Sequence, residues 1–151
     1  MGYSRAFTLI ELIFVIVVLG ILAAIALPKF ASTKEMADLA KGRADIATIR
    51  AAIVNERQTQ VIKGIYKYIE KLSTSDVATT LFTGNGVVGD GKRDLLTYGM
   101  KAGTSSGEWD IVDDTTYTFK VGETTTTFTY DATSGKFTCE PDEGKCNALV
   151  D

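Results

Sequence analysis

Three sets of side chains in this sequence have types and spacings that chemistry can use. Cys139 and Cys146 flank the segment EPDEGK, in which Pro141 and Gly144 suit a turn. In an oxidising compartment the pair reads as one local disulfide, and in the cytosol as two thiols. Asp90 and Asp94 lie in GNGVVGDGKRD, whose composition would suit a phosphate or a calcium ion. The segment lacks the GKS or GKT ending of a P-loop, and two aspartates do not make an EF-hand. A solvated turn is therefore the plainer expectation, with calcium the one cofactor to consider. Glu11 is a lone carboxylate inside an apolar run. Histidine is absent, which removes Ser-His-Asp and Cys-His nucleophile activation, the commonest metal ligand and the near-neutral proton shuttle. Two cysteines without histidine do not close a structural zinc site. The net charge of −3 is spread without a long run of one sign, so no basic stripe of the kind that binds nucleic acid stands out. No enzymatic activity is expected.

The element that must position Glu11 is the run FTLIELIFVIVVLGILAAIAL, residues 7–27, broken only by Thr8, Glu11 and Gly20. At ~1.5 Å per residue a helix of this length spans ~30 Å, the thickness of a bilayer core. Nothing else in the chain is apolar enough to enclose it as a core helix. A secretory signal peptide is the rival reading, because Ala24-Ile25-Ala26 fits a cleavage site that would release a soluble protein after Ala26. The run is too long for that role, and a carboxylate within it costs roughly 2.5–3.5 kcal/mol on insertion, a cost that marks a function with a partner. Arg5 before the run and Lys29 and Lys34 after it leave orientation undecided by charge.

Residues 5–28, RAFTLIELIFVIVVLGILAAIALP, resemble the N-terminus of type IV pilins and of type II secretion pseudopilins. The shared pattern is a short basic leader, here MGYSRA, then Phe-Thr-Leu-Ile-Glu, an apolar stretch and a proline. The resemblance implies that a prepilin peptidase cuts between Ala6 and Phe7 and that Phe7 becomes the methylated N-terminus. Ala6 stands where the family normally has glycine, which implies slower processing at worst. Glu11 lies four residues after Phe7, one helical turn away on the same face, where it can meet the amino terminus of a neighbouring copy and fix axial register. Gly20 and Pro28 weaken the helix, and a kink or a locally unwound stretch is expected at Pro28. The implied partners are further copies in a helical filament, the peptidase and inner-membrane assembly machinery; nucleic acid is left open. The implied location is the bacterial inner membrane, single-pass with an extracytoplasmic head, followed by an extracellular or periplasmic filament. Pilins often close a C-terminal loop by a disulfide, which favours a pilus over a secretion pseudopilus and a Cys139–Cys146 bridge over free thiols.

Beyond Pro28, Leu39, Ile46, Ile49, Ile53, Val61, Ile65, Ile69 and Leu72 recur at helical spacing and predict an amphipathic helix over 29–72. Residues 73–100 read as loop. Residues 115–121, 124–130 and 136–139 alternate and predict three antiparallel strands, with hairpin turns at Gly122-Glu123 and 131–135 and an extra edge at Trp109–Ile111. Tyr117, Phe119 and Val121 share one face, as do Phe128 and Tyr130, and that face should cover the helix. The Thr-rich opposite face reads as a solvent face. The expected class is α+β: a leader over 1–6, a membrane and assembly helix over 7–28, a helix over 29–72 and a loop-and-sheet head over 73–151.

Overall fold

The computed structural model describes residues 7–74, 79–85 and 93–150. Its elements are helix α1 (Leu9–Ile62), strands β1 (Thr80–Leu81), β2 (Met100–Lys101), β3 (Trp109–Ile111), β4 (Thr116–Val121), β5 (Thr124–Asp131) and β6 (Lys136–Cys139), and a short helix α2 (Cys146–Val150). The class is α+β. The chain divides into two units at Lys34 and Glu35.

In the first unit the side chains of α1 are exposed from Leu9 to Ile25, including every large aliphatic residue of that stretch. The helix continues through Gly20 and Pro28, so of the kink or unwound stretch expected at Pro28 the unwinding does not occur. Proline lacks an N–H, and the Ala24 carbonyl accordingly loses its intrahelical donor.

In the second unit, β3, β4, β5 and β6 form an antiparallel meander in that order, and β1 and β2 form a separate two-stranded ladder. β4 and β5 meet at Gly122-Glu123, with Val121 opposite Thr124. Gly122 takes φ +60 at the first turn position, the place a tight hairpin reserves for glycine. The inner face carries Trp109, Tyr117, Phe119, Phe128, Tyr130 and Phe137, all buried, and Ile46, Ile49 and Ile53 of α1 join them in one core. Phe82 completes this core, 4.7 Å from Tyr117 and 5.5 Å from Trp109 between ring centroids. It does so at φ +61, a costly conformation for a bulky residue, held by its N–H donating to Ser73 Oγ at 2.7 Å and its carbonyl accepting from Leu96.

The helix expected to reach Leu72 ends at Ile62. Gly64, at φ +81, accounts for the stop: its N–H donates to the Val61 carbonyl and that of Ile65 to the Gln60 carbonyl, a Schellman cap. Ile69 and Leu72 are buried from the non-helical connection that follows. Val61 is exposed, and the buried stripe continues from Ile53 through Glu56 and Gln60. The small β1–β2 ladder within the expected loop region and the five-residue α2 were not expected.

Candidate assembly site

Chain entry to α1 is set by Thr8 and Glu11. The Glu11 N–H donates to Thr8 Oγ1 at 3.3 Å, while the Thr8 N–H reaches Glu11 Oε2 at 3.5 Å and its hydroxyl reaches the same oxygen at 3.4 Å. Thr-x-x-Glu in this arrangement is a capping box: the two side chains satisfy backbone donors that the first helical turn leaves without partners. Thr8 was missed as a site residue in the sequence reading, although Thr-x-x-Glu ahead of an apolar run is a legible signature. Glu11 is exposed, and the salt bridges among the described residues do not include it. Its carboxylate is held near the helix start by local bonds without being neutralised. Phe7 precedes the cap and is exposed; Ala6 lies outside the described residues.

Among the described residues α1 is the one helix long and apolar enough to cross a membrane. The apolar side chains of its residues 9–25 are not covered by the described residues, so that surface is available to lipid or to other helices. A Cβ built on Gly20 would meet nothing within 4 Å, whereas one on Gly42 would fall 2.5 Å from Phe119 and 2.6 Å from Leu149. Gly42 is thus required by packing inside the head, and nothing among the described residues requires Gly20.

Cys139 and Cys146 form a disulfide with Cα atoms 5.8 Å apart. The bridge ties β6 to the start of α2. From there Leu149 packs into the core, and the Ala148 carbonyl accepts from Arg43 Nε of α1 at 2.7 Å. Asp94 is exposed and bridges Gly84 in an antiparallel pair; Asp90 lies outside the described residues. Among the described residues no three His, Cys, Asp or Glu side chains come together as a metal site would need.

The head also holds a buried ion pair that the sequence reading did not find. Arg93 Nε donates to Glu56 Oε1 at 2.6 Å and its Nη2 to Oε2 at 2.7 Å, while Nη1 and Nη2 donate to the carbonyls of Tyr68 and Lys67 at 3.1 Å each. This bidentate fork clamps three segments together. The available signal was Glu56 itself, three residues after Ile53 on the core stripe. Its partner lies 37 residues away and left no trace in the spacing.

The family model for the prokaryotic N-terminal methylation motif matches residues 1–27. The chain carries this motif at its N-terminus. It is similar to the type II secretion system core protein G of Pectobacterium carotovorum, 43% identical over 53 residues, which cover 34% of each chain. It is similar also to the type IV narrow pilus major component PilA5 of Thermus thermophilus, 47% identical over 49 residues, 32% of this chain and 42% of that one. The core protein G of Dickeya chrysanthemi is 33% identical over 76 residues, 47% of this chain and 50% of its own. The chain thus spans about a third to a half of the length of these curated relatives. No solved structure matches it. The motif and these likenesses together fit a pilin and a secretion pseudopilin alike.

Proposed function

We propose that this chain is the structural subunit of a type IV pilus-like filament, made as a precursor, cut between Ala6 and Phe7, methylated at Phe7 and anchored by α1 in the inner membrane before assembly. The observation that supports this most is an apolar helical stretch, residues 9–25, left exposed by the described residues and opening on a capped Glu11 within a methylation motif. In a bundle of copies those side chains lose contact with lipid or water together, and the carboxylate of one copy meets the amino terminus of another. Each charge alone is costly in an apolar surrounding, and pairing offsets part of that cost while fixing register. The subunit's role is mechanical, with no reaction of its own.

The second reading, a subunit of a type II secretion system, is favoured by the likeness to core protein G from two organisms. The C-terminal disulfide supports the pilus reading instead. Membrane-bound and sheared-filament fractions of the wild type and of Glu11→Gln test the shared part of both. Full membrane level with little or no filament is expected of the variant. A normal filament yield at normal membrane level would overturn the role given to Glu11.

A further inference from the structure

We propose that the groove between the end of α1 and the β5–β6 turn binds an acidic polysaccharide, with Tyr66 stacking on a sugar ring and Arg57 and Lys67 holding its uronate carboxylates. The groove encloses about 450 Å³ and is lined by Arg57, Tyr66, Lys67, Tyr68 and Glu70 on one side and Ala132 and Thr133 on the other. Residues 57–71 hold four cations, Arg57, Lys63, Lys67 and Lys71, against one carboxylate, Glu70, in a chain whose net charge is −3.

The cations differ in what they already hold. Lys41, Lys71, Arg93 and Lys101 are each paired with a carboxylate. Among the described residues no carboxylate lies within ion-pair distance of Lys63 or Lys67. Arg57 sits with its guanidinium 4.9 Å from the Tyr68 ring centroid and donates Nη1 to the Ile65 carbonyl at 3.2 Å. Both contacts fix the planar fork, and its remaining N–H groups make no hydrogen bond among the described residues. A fork held in this way loses little freedom when a carboxylate docks. Tyr66 is 72% exposed beside it, although the head buries Tyr117 and Tyr130. An exposed ring next to unpaired cations suits a ligand with both a flat face and negative charge.

Glu70 selects among polyanions. A carboxylate in the same groove repels any polyanion, but it accepts hydrogen bonds from sugar hydroxyls, which a uronate polymer carries on every ring and a deoxyribose–phosphate strand lacks along its length. The acidic chain as a whole also lacks the long-range field that gathers nucleic acid. A uronate polymer, with one carboxylate and two or more hydroxyls per ring, satisfies cations, ring and Glu70 together.

The test uses the full chain in detergent micelles and fluorescence anisotropy of three labelled probes: a galacturonate hexamer, its methyl ester, and a twelve-nucleotide single strand. The hexamer should saturate, and the other two should bind at least about tenfold more weakly. Tyr66→Ala and Lys67→Gln should each weaken hexamer binding roughly five- to tenfold with the melting temperature unchanged, because both side chains are exposed. Lys120→Gln, on the sheet, should leave it unaltered. The proposal is overturned by an absence of saturation, by an oligonucleotide binding as tightly as the hexamer, by indifference to either groove substitution, or by an equal loss in Lys120→Gln.

Discussion

Glu11 has two uses for one carboxylate, and they separate by substitution. As the third helical residue it caps the Thr8 N–H, and as a charge it awaits a cation that the described residues do not supply. Glutamine also serves in a capping box, so Glu11→Gln keeps the helix start and removes only the charge. Insertion should be as good or better, since an amide costs less to bury than a carboxylate at roughly 2.5–3.5 kcal/mol. Thr8→Val keeps the charge and loses the cap, at a cost of about 1 kcal/mol to the first turn. Faster amide exchange at residues 9–11 in micelles would register that loss; unchanged exchange would show that the box contributes nothing. A second residue-scale effect lies in the core. Burial raises the Tyr117 pKa to about 12, and burial raises that of Tyr130 as well. The folded chain therefore holds these protons longer than the unfolded one. Stability should be level below pH 10 and fall as the pH rises from 10 toward 12. The Tyr117 hydroxyl makes no hydrogen bond among the described residues, so Tyr117→Phe should be neutral or stabilising by up to about 1 kcal/mol. Its urea midpoint should also fall less steeply between pH 10 and 12, leaving only the share of Tyr130.

At the scale of elements, two helical glycines should respond in opposite ways to the same change. Alanine at either position adds about 1 kcal/mol of helix propensity. At Gly42 the new methyl would press on Phe119 and Leu149 in a filled core, and overpacking of about 1–3 kcal/mol outweighs the gain. Gly42→Ala should lower the melting temperature of the full chain in detergent; a rise would show that the core can yield there. At Gly20 the space is open, so Gly20→Ala should leave the unassembled subunit as stable or more so. A fall in filament yield without a fall in membrane level would then place Gly20 against a neighbouring helix. The disulfide closes a short loop, and the double variant Cys139→Ser with Cys146→Ser should lose about 2 kcal/mol, read from the urea midpoint. Strands β3 to β6 were legible because alternation and turn residues coincide along them. The end of α1 was not: the Ile65, Ile69 and Leu72 spacing keeps a helical period past Gly64, and only the backbone shows that the glycine stops the helix. Arg93 was invisible because a buried pair is made by tertiary contact between segments that share no local pattern.

For the whole molecule, the legible part of the candidate site was its N-terminal end. There a carboxylate in an apolar run contradicts simple insertion, and that contradiction is itself the signal. The sheet and the clamp of Glu56 and Arg93 hold the second unit together. The motif at residues 1–27 leads to pilins and to secretion pseudopilins alike. What both proposed readings require is one processing event and assembly into a filament. The most direct measurement is the intact mass of this chain recovered from sheared surface filaments of its native host. A mass matching a chain that begins at methylated Phe7, with Cys139 and Cys146 bridged, is the result expected. A mass matching a start at Leu27, found in the soluble fraction and missing from filaments, would contradict it.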